Sequence, residues 1–304
     1  MSDDVREILV TGAAGQLGTE LQRLALPQGW RVIAVDRAAL DLGDAAAIST
    51  KVAERPWAAV INGAAYTAVD KAEGDVVNAW RINALAPAAF AEACAKAAIP
   101  LIQVSTDYVF AGNKDGPWEV DDPVGPLGVY GASKLGGELA VRTAQPRHAI
   151  VRTAWVVSAH GANFVKTMLR VGAMRDSLSV VDDQHGSPTS AADLADALVR
   201  IAIRLVEDDQ APVGTFHFSN SGAVTWAGFA AEIFRQSAAR GGPSAAVVPI
   251  PTSDYPTPAV RPANSLLSHA AIELAFGIRP RPWQSALDDI LNELIGPRGP
   301  ETHA

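Results

Sequence analysis

The sequence predicts an α/β fold, a Rossmann-like doubly wound parallel sheet with a smaller C-terminal substrate-binding lobe. Three observations predict it. Short apolar runs alternate with Ala-rich helical stretches, a glycine cluster opens the first β–α unit, and beyond about residue 151 the alternation yields to Pro- and Gly-rich loops. Short buried strands separated by helices are what a parallel sheet covered on both faces requires.

Taken in order, Ile8-Leu9-Val10 is an apolar strand running into the glycines, followed by a helix over 17–26. A strand over 31–35, a helix over 45–53 and a strand over 58–61 come next. A long Ala-rich helix over 77–98 leads into the strand 101–104, and a helix over 130–144 precedes the strand 149–151. In the second half we read helices over 164–175, 191–206 and 226–239, strands over 178–181 and 215–218, and an amphipathic last helix over 283–295. Pro249, Pro251, Pro256, Pro258 and Pro262 make 249–262 a loop. The tail from 296 to 300 is expected to fray. The expected division is a dinucleotide-binding domain over 1–158 plus about 190–206. The lobe over about 159–189 and 207–304 sits at the carboxyl edge of the sheet.

Composition excludes several classes. The 304 residues carry 25 Lys and Arg against 33 Asp and Glu, a formal charge of −8, which argues against a surface that tracks nucleic-acid phosphates. The single cysteine, Cys94, has no disulfide partner and leaves a thiolate metal site without further ligands. The six histidines, His148, His160, His185, His217, His269 and His303, show no paired ligand spacing, so no metal is expected. Met1-Ser2-Asp3-Asp4 lacks a basic-then-apolar leader pattern, and no apolar run approaches the ~20 residues of a membrane helix. A soluble cytoplasmic protein without membrane or nucleic-acid partners is expected.

The glycine cluster is Gly12-Ala13-Ala14-Gly15-Gln16-Leu17-Gly18. Its first glycine permits a tight turn, the second lets backbone approach a pyrophosphate, and the third lets the next helix pack on the strand. That helix's N-terminus offers free N–H groups and a positive dipole to phosphates. Asp36 ends the next strand about 20 residues on, where a carboxylate accepts from an adenosine ribose hydroxyl and favours NADH. Arg37, beside it, suits the 2′-phosphate of NADPH, so both cofactors stay open. Small residues in Asn62-Gly63-Ala64-Ala65 would let a flat cofactor lie across the strand ends.

Tyr130-Gly131-Ala132-Ser133-Lys134 carries the chemical signal. Residues i and i+4 share a helix face, so phenol and ammonium can converge on one site. A phenol titrates near 10, too high for efficient exchange at neutrality, and a fixed cation lowers that value. Thr106, in the string Ser105-Thr106-Asp107 where the fourth β-run ends, can donate to an oxygen beside the phenol.

With these go Ala64-Ala65-Tyr66-Thr67-Ala68-Val69-Asp70-Lys71-Ala72-Glu73, Tyr108-Val109-Phe110, Val129 and Leu135. Arg152-Thr153-Ala154-Trp155-Val156, Asp182-Asp183-Gln184-His185-Gly186-Ser187-Pro188-Thr189 and Arg261-Pro262-Ala263-Asn264-Ser265 complete the set. On these strings nearly the whole chain resembles the extended short-chain dehydrogenases/reductases, and within them the dTDP-4-dehydrorhamnose reductase family. The resemblance implies reduction of the C4 ketone of a dTDP-linked 4-keto-6-deoxy sugar with NADPH or NADH, by a monomer or homodimer.

It implies Tyr130 as proton donor, Lys134 as its partner and ribose anchor, and Thr106 as the tuning hydroxyl. Thr106, Asp107, Tyr130, Trp155 and Arg261 would contact substrate, Trp155 as a wall and Arg261 beside the pyrophosphate. The implied cofactor set is Gly12, Gly15, Gln16, Leu17, Gly18, Asp36, Arg37, Asp41, Leu42, Gly63, Ala64 and Ala65, with Tyr130 and Lys134. Asn83 matches a helix-bending position. Some relatives dimerise through a glutamate-held magnesium ion; Glu20 matches one ligand, but Ala192 stands where another glutamate is expected. An epimerase or dehydratase on the same scaffold is the nearest alternative. Dehydratases place a second carboxylate after the aspartate, whereas here Tyr108 follows Asp107. A non-catalytic dinucleotide-binding regulatory subunit is the alternative of another class.

Overall fold

The computed structural model describes residues 5–298. The acidic start, His303 and the end of the tail expected to fray lie outside the described residues. In the first half, β1 (Arg6–Thr11), α1 (Gln16–Arg23), β2 (Trp30–Val35), α2 (Ala45–Ala53) and β3 (Ala59–Asn62) follow one another. The short α3 (Val69–Ala72) and α4 (Val76–Trp80) come next, then α5 (Ala86–Ala97), β4 (Leu101–Thr106), α6 (Val129–Ala144) and β5 (His148–Thr153). Strands β1 to β5 pair parallel, and β10 (Gly214–His217), introduced here ahead of its turn in the chain, extends the order to β10-β5-β4-β3-β1-β2. Because β1 lies between β2 and β3, the chain leaves β1 in opposite directions, which opens a crevice at the carboxyl ends of β1 and β3.

Alternation along each strand feeds two cores. Ile8, Val10, Ile61, Ile102 and Val151 face α1 and α8 (Ala191–Glu207), while Leu9, Val60, Leu101 and Ile150 face α2 and α5. All nine are fully buried, which is why these runs carry no polar alternation.

The second half contains β6 (Val156–Val157), α7 (Phe164–Gly172), β7 (Ser177–Val181), β8 (His185–Gly186) and β9 (Thr189–Ser190) before α8. After β10 come β11 (Val224–Thr225), α9 (Trp226–Ala238), β12 (Ala246–Ile250), α10 (Ala270–Phe276) and α11 (Trp283–Leu294). A separate core of Val165, Met168, Val180, Phe229, Ile233, Trp283 and Leu287 joins α7, β7, α9 and α11.

Four expectations need correction. The stretch expected as a loop from 249 begins inside β12, which pairs parallel with β7 and sets Pro249 opposite Val180. β12 has a ladder partner on one side only, so a missing N–H is tolerated. β10, expected in the smaller lobe, pairs with β5 as the edge of the main sheet, and Phe216 packs on Phe276 of α10. α10 was not anticipated; it ends at Gly277, whose φ of 63° places it in the left-handed region. The long helix expected over 77–98 holds a π-helical turn, Arg81–Leu85, between α4 and α5. Asn83 within it accepts from the Tyr66 N–H at 2.8 Å and donates to the Tyr66 carbonyl and to Ser133 Oγ.

Candidate active site

The glycine turn is built as its spacing demands. Gly12 has φ 85°, open only to glycine without strain. A Cβ at Gly18 would fall 2.0 Å from the Gly12 carbonyl oxygen, so α1 could not start where it does with any other residue there. The turn forms one end of a cleft of about 520 Å³, and Thr106, Asp107, Tyr130, Lys134, Thr153 and Trp155 line the other end. Gly63, Ala64 and Ala65 line it as well, with Gly15, Gln16 and Leu17 of the turn itself. A neighbouring cleft of about 300 Å³ runs over the end of β2 and takes in Asp36, Arg37, Asp41 and Leu42. The sequence-expected cofactor residues therefore form one continuous track. Sequence reading missed Lys71 and Ile82 in that second cleft; α3 and the π turn bring them there from outside the strand ends.

At the reactive end, Lys134 Nζ donates to the Val104 carbonyl at 2.7 Å, and Tyr130 packs edge-on against Tyr108 with ring centroids 5.4 Å apart. Thr106 Oγ1 donates to Asp107 Oδ1 at 3.0 Å and accepts from the Tyr108 N–H. The net fall expected for the Tyr130 phenol beside Lys134 is not found. Burial pushes the phenol above its usual 10, with the Thr106 hydroxyl pulling it partly back and Asp107 adding to the rise. The same burial brings Lys134 down to about 8, with Glu138 opposing. Burial also raises Asp107 to about 6, against hydrogen bonds from Ser265 and Thr106.

Two buried polar atoms in this cleft, Asp107 Oδ2 and Thr153 Oγ1, have no hydrogen-bond partner among the described residues. Together with the glycine cradle they fit a bound dinucleotide and a polar substrate. Trp155 takes φ 49°, rare for a bulky side chain, and stacks on Trp226 at 3.5 Å between centroids. Gly186 makes room for it: a Cβ there would lie 2.5 Å from the indole. Trp226 in turn lines a third cleft of about 460 Å³ with Arg261, Tyr108, Phe164 and Tyr255. Arg261 pairs with Asp70 at 2.6 Å, while its Nη1 is buried without a partner among the described residues.

Glu20, the residue matched to a metal-bridged dimer, accepts from Ser158 Oγ at 3.0 Å. Among the described residues no group of three or more His, Cys, Asp or Glu side chains is arranged to hold a metal ion. Among them, too, no helix is long and apolar enough to cross a membrane.

Residues 6–295 match the family model described as the RmlD substrate binding domain. The chain belongs to this family. Among its relatives, the dTDP-4-dehydrorhamnose reductase of Aggregatibacter actinomycetemcomitans is 41% identical over 286 residues, 93% of this chain and 97% of that one. The solved dTDP-4-dehydrorhamnose reductase of Clostridium acetobutylicum superposes with a TM-score of 0.88 at 39% identity, covering 95% and 99% of the two chains. That of Bacillus anthracis, solved in complex with NADP, has the same TM-score at 34% identity and covers the same shares.

Proposed function

We propose that this chain is an NADPH- or NADH-dependent reductase acting on the C4 ketone of dTDP-4-dehydro-L-rhamnose to give dTDP-L-rhamnose. The observation that carries the reading is the convergence of Tyr130, Lys134 and Thr106 on one cleft that begins at the glycine turn. Relatives bearing that activity by name, about 40% identical along nearly their whole length, support it. A dinucleotide laid along the track would supply the hydride. Gly12 to Gly18 would hold its pyrophosphate, Asp36, Arg37, Asp41 and Leu42 its adenosine half, and Lys134 its second ribose.

The chain's own work is proton transfer and orientation. Tyr130, held protonated by burial, is a loaded donor; it gives its proton to the alkoxide oxygen that forms at C4. Thr106 hydrogen-bonds the same oxygen, and the Lys134 ammonium stabilises the phenolate left behind. Asp107 suits a sugar hydroxyl, and Trp155 closes the pocket over the ring. The third cleft, with Arg261 offering an unpartnered N–H, suits the pyrophosphate and base of the dTDP group. In lobe terms, the sheet domain binds the dinucleotide and the lobe built on α7, β7, α9 and α11 binds the nucleotide sugar. The test is oxidation of NADPH or NADH followed with dTDP-4-dehydro-L-rhamnose. Turnover supports the reading, and cofactor binding without turnover favours a regulatory module.

A further inference from the structure

Thr153 is the last residue of β5 and pairs in register with Thr106 of β4. Side chains at paired positions of neighbouring strands lie on the same face of a sheet, so the two hydroxyls stand side by side above the strand ends. They differ in one respect. Thr106 Oγ1 has partners in Asp107 and Tyr108, whereas Thr153 Oγ1 is buried with none among the described residues. A hydroxyl sealed from water and left unpaired is a standing penalty unless a ligand completes it.

The surroundings say which ligand. Val104, Val156 and Leu194 line the same cleft, Val104 two residues before Thr106 on its strand, and give it an apolar seat. A flat, largely apolar ring with one neutral polar substituent matches that seat; a sugar, with hydroxyls around its rim, does not. The other unpartnered group, Asp107 Oδ2, is a pure acceptor when ionised and suits sugar hydroxyls. We propose that Thr153 is a cofactor-binding residue, its hydroxyl hydrogen-bonding the carboxamide of the nicotinamide ring and so fixing which edge of the ring faces Thr106 and Tyr130. The proposal rests on reading the cleft as a dinucleotide site.

The experiment titrates wild type, Thr153→Val and Thr153→Ser with NADP⁺ and with 2′-phospho-ADP-ribose, which is NADP⁺ without its nicotinamide, and repeats this with NAD⁺ and ADP-ribose. Thr153→Val is expected to weaken the complete dinucleotides roughly tenfold while leaving the truncated ones within about twofold, and Thr153→Ser to restore them. Thr153→Val binding NADP⁺ and NAD⁺ as wild type does overturns the proposal. Equal loss of complete and truncated ligands overturns it too, since the effect would then be on the fold. Wild-type protein that binds neither NADP⁺ nor NAD⁺ overturns the dinucleotide reading itself, and Thr153's role with it.

Discussion

The Lys134 ammonium donates to the carbonyl oxygen of Val104, two residues before Thr106, so the helix that carries the Tyr130 phenol is tied to the strand that carries the Thr106 hydroxyl. One turn further along α6, Glu138 repeats the attachment by accepting from Ser105 Oγ at 2.6 Å. The distance between Tyr130 and Thr106 is therefore set by two side-chain bonds across the helix–strand interface rather than by packing alone.

Tyr130→Phe removes the donor and little else, since the ring still packs against Tyr108. Turnover is expected to fall by about 10² to 10⁴, with dinucleotide affinity nearly unchanged. Steady-state rates and a cofactor titration check both halves, and wild-type rates in the variant would remove Tyr130 from the proton-transfer step.

A pH profile reads the state of Lys134. Its value is depressed to about 8, so the ammonium is present below that pH and is lost as pH rises through it. If the charge stabilises the phenolate, kcat/KM in the free enzyme falls above about pH 8. A flat profile from pH 7 to 9.5 would detach the ammonium from the chemistry.

Glu138→Gln tests the anchor behind the site. Glu138 is fully buried and takes two bonds from the equally buried Arg152, at 2.9 and 2.8 Å, besides those from Ser105 and Arg142. Removing one partner strands a buried guanidinium, and a loss of about 3–5 kcal/mol in unfolding free energy is expected by urea titration. A loss below about 1 kcal/mol would mean that water reaches Arg152.

Arg37→Ala separates the two cofactors. Arg37 stands at the mouth shared by the first two clefts, beside Asp36, whose Oδ1 accepts from the Ala39 N–H at 2.9 Å. NADPH binding is expected to weaken roughly tenfold, with NADH little affected. Equal effects on both would place the 2′-phosphate elsewhere.

The first half of the fold was legible because its signals are local. Ile8-Leu9-Val10 followed by Gly12, Gly15 and Gly18 fixes a strand, a turn and a helix start through backbone sterics that need no distant partner. Tyr130 and Lys134 were legible for the same reason, one helical turn bringing them to a common face. Pro249 in β12 and the uncapped start of α10 were not, because their structure depends on β7 and on the α8 face, over 60 residues away in the chain.

What the sequence alone determined is which groups meet in one cleft: glycine turn, phenol, ammonium and hydroxyl, each specified within a few residues. Only the tertiary structure decided their protonation and their unmet bonds. Desolvation is a property of everything packed around a group, so the rise at Tyr130, the fall at Lys134 and the unpartnered Thr153 exist only once β4, β5 and α6 close on one another.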